Sequence, residues 1–172
     1  MSDGGSPRTL VIGLGNPLMG DDGFGLAVLA RLENRWRLPP EVELVDGGTW
    51  GMRLLSLIEE ADRVLLLDAI DRGSPPGAPL VLEGEQVPRQ LSLKLSPHQI
   101  DLREVLALSA IRGTLPAELA AVGAQPAEVS LGMELSPLLA ERVPEVAALA
   151  VRVLESWGHA CRPTDEAAPC TS

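Results

Sequence analysis

The stretch Leu10-Val11-Ile12-Gly13-Leu14-Gly15-Asn16-Pro17-Leu18-Met19-Gly20-Asp21-Asp22-Gly23-Phe24-Gly25 constrains the fold more than any other part of the chain. It opens as a short apolar run bounded by glycine, which predicts a buried strand. A turn dense in Gly, Asn and Pro follows, and then two carboxylates stand at the entrance to an apolar-periodic helix. Strand, glycine turn and helix usually announce a phosphate or dinucleotide site. Here the third glycine of G-x-G-x-x-G would fall on Leu18. Gly15 and Gly20 have Walker A spacing, but Asp21 and Asp22 occupy the places of the Lys and Ser/Thr. Two anions repel phosphate and suit a cation. The competing reading is that Asp21 and Asp22 only cap the helix, where Asp is favoured and the dipole is positive.

The rest of the chain alternates strand and helix signals. The first strand is expected over 8–14 and the first helix over 22–36, with Phe24, Val28, Leu32 and Trp36 at i+4 spacing and Pro39-Pro40 as the stop. Val42 to Val45 reads as a second strand running into Asp46-Gly47-Gly48-Thr49, and 50–59 as a helix. Val64 to Leu67 is continuously apolar, the mark of a strand covered on both faces, and ends at Asp68. Leu80 to Leu82 is a weaker fourth strand and 83–95 an irregular segment. Ser96-Pro97-His98-Gln99 has the form of a capping box opening a helix. Leu119 to Gly123 is a fifth strand, and 137–157 is an amphipathic helix. The expected organisation is a disordered lead at 1–7, a single α/β domain at 8–158 and a mobile tail at 159–172.

Alternation of this kind implies an open, mostly parallel sheet. In such sheets ligands sit beyond the carboxyl ends of the strands. Asp22, Asp46 and Asp68 each follow or end a strand, so all three belong to that edge. Of the two histidines, His159 lies beyond the last helix with no evident partner. His98 falls in a first helical turn, where the dipole favours neutral imidazole, the form a metal binds. With Asp22 and Asp68 it makes a His-plus-two-carboxylate set suited to a divalent transition metal. Taken alone, His98 also reads as a surface residue in a helix cap.

A formal net charge of −10 opposes a general nucleic-acid or anionic-membrane surface but permits a basic or metal-bearing partner. Cys161 and Cys170 form neither a disulfide framework nor a zinc motif. The N-terminus lacks the basic region of a signal peptide and no stretch is long enough to span a bilayer, so a cytoplasmic protein is expected.

The ordered set Gly13-Leu14-Gly15-Asn16-Pro17 with Gly20-Asp21-Asp22-Gly23-Phe24-Gly25, Asp46-Gly47-Gly48-Thr49-Trp50-Gly51, Asp68-Ala69-Ile70, Ser96-Pro97-His98-Gln99 and Leu135-Ser136-Pro137 resembles the hydrogenase maturation endopeptidases. The resemblance runs from about Leu10 to Trp157. It implies a three-layer α/β/α peptidase domain of phosphorylase/hydrolase-like type, with sheet order 2-1-3-5-4 and the fourth strand antiparallel. It carries the metal ligands onto Asp22, Asp68 and His98. The first ligand is Glu in some members, so Asp22 reaches less far.

The implied activity is a single cut that removes a C-terminal extension from the nickel-loaded precursor of a nickel–iron hydrogenase large subunit. Nickel is then presented by the substrate, and the enzyme is expected to act as a monomer. The chain has no H-E-x-x-H or G-x-S-x-G motif and no cysteine among the candidate site residues, so metal-assisted hydrolysis or aspartyl-type chemistry is the reading. Asp46 is the expected catalytic group, as a base, a water-orienting residue or a hold on the substrate tail. Gly47, Gly48, Thr49 and Gly51 are the expected substrate-binding residues. A nickel-dependent checkpoint that holds the precursor without cutting would use the same ligands. A peptidyl-tRNA hydrolase shares the Gly-Leu-Gly-Asn-Pro start, but it needs an early histidine that is absent here, and the acidity opposes tRNA.

Overall fold

Parallel neighbours in a sheet need crossover connections, and this chain supplies them as helices. The computed structural model describes residues 7–48, 52–90 and 102–164. β1 (Thr9–Leu14) leads through a 3-10 turn (Gly20–Gly23) into α1 (Phe24–Arg35), then β2 (Trp36–Arg37), β3 (Val42–Gly48), α2 (Arg53–Glu60) and β4 (Arg63–Ala69). β5 (Pro79–Glu83), α3 (Gln86–Gln90), α4 (Leu102–Arg112), β6 (Glu118–Ala124), α5 (Pro137–Ser156) and β7 (Arg162–Pro163) follow. Five strands form one sheet in the order β3-β1-β4-β6-β5. The first four are parallel, and β5 runs antiparallel to β6. Counting only these five, the order is 2-1-3-5-4 with the fourth antiparallel, as the family resemblance implies. No helix of the described residues is long and apolar enough to cross a membrane.

The sheet sorts its side chains by alternation. Val11, Leu65, Leu67 and Val122 meet Phe24, Val28 and Leu32 of α1 and Val146, Ala150 and Leu154 of α5. Leu10, Ile12, Leu66 and Ala121 meet Leu54 and Ile58 of α2, Val87 of α3 and Val105 and Leu106 of α4. Both faces are therefore covered, which is why β1 and β4 read as unbroken apolar runs. The first turn of α1 sits hard on the strand ends. A Cβ on Gly25 would lie 2.1 Å from the Leu67 carbonyl oxygen and 2.5 Å from that of Leu14.

Four segments differ from the sequence expectations. Residues 20–23 form a 3-10 turn, so α1 begins at Phe24, and its N-cap is Gly23 with no side-chain cap. The helix also ends before Trp36, which is extended and pairs with Pro163. Continuing the helix would drive the Pro39 ring into the Arg35 carbonyl. The segment expected to be irregular contains α3, a short helix that packs on β5 and α4 and buries Val87. Finally, residues 159–164 of the expected tail pack on the domain. His159 is buried and its Nε2 lies 2.8 Å from the Thr9 hydroxyl, while Nδ1 lies 3.5 Å from Glu41. Beyond them, β7 pairs with β2. Residues 1–6 of the expected lead (1–7), the capping box at 96–99 and the tail beyond Thr164 lie outside the described residues.

Candidate active site at the carboxyl edge of the sheet

Parallel register brings the ends of β1, β3 and β4 to one edge. Gly13 is paired with Asp46 on one side and with Leu67 on the other. Asp46 and Leu67 thus stand two strand spacings apart, about 9–10 Å. Asp68 follows Leu67, and Asp22 stands in the 3-10 turn beyond β1, which packs against the end of β4. Three of the four sequence-predicted carboxylate and imidazole residues, Asp22, Asp46 and Asp68, therefore share this edge. The fourth, His98, lies outside the described residues, as do Thr49 and Gly51. Among the described residues no group of three metal-binding side chains is assembled.

The edge residues differ in environment. Asp22 and Asp68 are each only 8% exposed, an uncommon burial for a carboxylate. One Asp22 oxygen accepts a 2.8 Å hydrogen bond from the Asn16 backbone N–H. That contact depends on Gly15 (φ 114°), where a Cβ would strike the Asp22 carbonyl oxygen. Alternation sends Asp68 to the face of Val64 and Leu66, which α2 and α4 cover. Asp46 is exposed and, with Val42 and Leu44, belongs to the opposite face. The β3 register slips one residue later, where Leu14 pairs with Gly48. The buried Gly47 there sits against Ile12, whose Cγ2 would be 2.6 Å from an added Cβ. The missing side chain at Gly47 thus serves packing within the sheet, and Gly48 is half-buried at its end.

Asp21 does something neither sequence reading of the Asp-Asp pair foresaw. It is 1% exposed. One carboxylate oxygen accepts from the backbone N–H groups of Ala127 and Glu128, each at 2.9 Å, and from the Ser136 hydroxyl at 2.9 Å. The other accepts from the Ser136 N–H at 2.7 Å. Burial alone would raise this carboxyl, but the N–H donors of Glu128, Ser136 and Ala127 and the Ser136 hydroxyl outweigh it. They hold Asp21 below the ordinary carboxylate range. Ser136 is also the N-cap of α5, with Pro137 behind it. Asp21 therefore fastens the loop between β6 and α5 to the turn that carries Asp22. The readable signal was the pairing of an Asp doublet with a Ser-Pro helix start.

A second organiser stands beyond Asp68. Gln125, at the end of β6, accepts from the backbone N–H groups of Arg72 and Ser74 and donates to Asp71. It shapes the loop that leaves β4. Cys161 lies apart from these residues; burial first, and the charge of Glu155 second, push its thiol up to about 11. At neutral pH it stays protonated and is a poor nucleophile.

A mixed α/β sheet with acidic residues gathered at its carboxyl edge places a binding site there without naming its chemistry. The comparisons narrow it. The family model described as hydrogenase maturation protease matches residues 26–153. A hydrogenase expression/formation protein HupD from Thiocapsa roseopersicina is 39% identical over 158 residues, covering 91% of this chain and 72% of that protein. The hydrogenase 2 maturation protease of Escherichia coli K12 is 38% identical over 131 residues, 76% of this chain and 80% of its own. The solved hydrogenase maturating endopeptidase HybD from Escherichia coli superposes with a TM-score of 0.87 at 33% identity, covering 93% of this chain and 99% of that one. The chain belongs to the hydrogenase maturation protease family.

Proposed function

We propose that this chain is an endopeptidase that removes a C-terminal extension from the nickel-loaded precursor of a nickel–iron hydrogenase large subunit. The observation that carries the reading is the pair of buried carboxylates, Asp22 and Asp68, at the carboxyl edge of a fold shared with maturation proteases. In this reading nickel arrives as part of the substrate, and Asp22, Asp68 and His98 are its docking ligands. Two oxygens and an imidazole nitrogen suit that ion. Bound there, nickel supplies Lewis-acid character near the scissile peptide.

The chain's own residues do the remaining work. Asp22 is held in orientation by the Asn16 N–H. Asp46 is exposed and unencumbered by the core, so it is open to water or to the substrate tail. Gly48, at the end of β3, offers backbone beside which an extended peptide can lie, and Thr49 and Gly51 are the further substrate-binding residues of this reading. The test is to incubate the protein with nickel-loaded precursor and weigh the product. A lost C-terminal peptide supports the protease reading. Nickel-dependent capture with intact mass makes the chain a checkpoint, and neither capture nor cleavage rejects both.

A further inference from the structure

The loop joining β6 to α5 does not hide its apolar side chains. Leu131 and Met133 are 87% and 82% exposed, and Val129 and Leu18 about half exposed at 53% and 52%. Leu131 and Met133 line a shallow cavity of about 570 Å³ together with Gly20, Glu128, Glu134 and Leu135. A free loop of this composition would fold its apolar groups inward. This one is fixed. Gly132 donates to the Leu18 carbonyl and accepts from the Gly20 N–H, making a parallel bridge with residues 18–20. The Glu128 carbonyl accepts from the Asp21 N–H, and the Asp21 carboxylate holds both ends of the loop. Leu131 and Met133 flank the bridged Gly132, so alternation turns both away from the turn and toward solvent.

We propose that this surface is a docking site for the large-subunit precursor, and that the segment seated on it is apolar and carries basic residues. The inference rests on the proposed function and names where that substrate is gripped. Continuity supports the assignment: the turn bonded to the loop is the one that carries Asp22, so the surface adjoins the proposed metal-docking residues. Charge supports it as well. Glu128 and Glu134 stand beside the apolar groups on a chain of net charge −10, which favours a basic segment. A second copy of this chain would bring the same glutamates face to face. Rigid presentation of exposed apolar groups is the form in which they add affinity, because little order is lost on binding.

The test is the double variant Leu131→Ser/Met133→Ser, with Leu131→Ala alone as a milder form. Both positions are exposed, so melting should be unchanged. With nickel-loaded precursor, KM should rise about tenfold or more while kcat stays within about twofold, the signature of lost uniform binding. Glu134→Lys should raise KM in a salt-dependent way. If the wild-type protein captures the nickel-loaded precursor without cutting it, the proposed function fails and the surface is read from the Kd of capture, which the double variant should raise about tenfold; if it neither captures nor cuts, both fall. If the wild type cuts and the double variant keeps its KM, the docking site is refuted. A fall in kcat at constant KM refutes it too, and assigns the loop to the geometry of the site. A wild-type dimer that the double variant dissociates, with KM unchanged, gives the surface to a second copy instead.

Discussion

Replacing Asp21 by Asn tests whether one carboxylate holds the site's frame together. The wild-type side chain offers acceptors on both oxygens: three donors converge on one and the Ser136 N–H on the other. Asparagine has one carbonyl and one NH₂. In its better orientation it keeps the three donors of Ala127, Glu128 and the Ser136 hydroxyl, and turns its NH₂ on the Ser136 N–H. A buried donor is then unsatisfied, and the bonds that survive lose their charge. Together these cost about 2–4 kcal/mol. For a domain of this size that lowers the melting temperature by about 5–15 °C if the loop and the core unfold together.

The pH dependence has a definite sign. The native pKa lies below the ordinary value of 3.8, so Asp21 contributes its full stability above that value. The contribution is lost as pH falls through the lower, folded-state value. The gap between wild type and Asp21→Asn should therefore be full at neutral pH and close in acid below 3.8. The assays are thermal denaturation from neutral to acid pH and amide hydrogen exchange at Ala127, Glu128 and Ser136. If the loop opens by itself, exchange accelerates there even where melting moves little. Unchanged melting together with unchanged exchange would refute the clamp.

Five further changes probe other parts of the argument. Asp22→Asn keeps an acceptor for the Asn16 N–H but removes an anionic ligand, so cleavage of nickel-loaded precursor should fall at least about a hundredfold in a mass-based assay. Asp46→Asn should still capture that precursor in a pull-down while cutting slowly, and His98→Ala should do neither; wild-type cutting by either removes its assigned role. His159→Ala strands the fully buried Thr9 hydroxyl and opens a cavity, a loss of about 2–4 kcal/mol to be read from urea denaturation. Gly25→Ala forces α1 off the carbonyls of Leu67 and Leu14 and should destabilise by about 3 kcal/mol or abolish soluble expression.

The sheet was legible because its signals are local. Val64 to Leu67 announces its own double burial, and the glycines after β1 announce a turn whatever follows. Strands ending in Asp46 and Asp68 then needed only the rule of the carboxyl edge to come together. The strand order came from the resemblance, since nothing in periodicity distinguishes β5 as the antiparallel edge. What escaped the sequence were contacts between distant segments made by single polar side chains. Asp21 reaches partners 106 to 115 residues away, and His159 meets Thr9 across 150. Neither contact leaves a period or a composition shift. A mobile tail was expected after Gly158 because polarity and proline dominate there, yet one buried histidine and a two-residue strand hold its first residues.

The Asp-Asp doublet shows why that blind spot matters for the site. In a 3-10 turn successive residues are rotated by about 120°, so adjacent side chains cannot share a direction. Asp21 turns to the loop before α5, and Asp22 turns back to the Asn16 N–H at the end of β1. The two readings first offered for the doublet, helix caps or cation ligands, took the pair together; the ligand set then used Asp22 alone and left Asp21 without a role, and the geometry supplies one. One carboxylate is spent on N–H donors and fixes the turn. A buried carboxylate can hold a ligand's geometry only if its own backbone cannot drift, and the turn carrying Asp22 is pinned on one side by β1 and on the other by Asp21. The doublet and the distant Ser136-Pro137 are thus parts of one device. Without the Ser136 donors opposite, Asp21 would keep only the N–H groups of Ala127 and Glu128, and its other carboxylate oxygen would be buried with no donor.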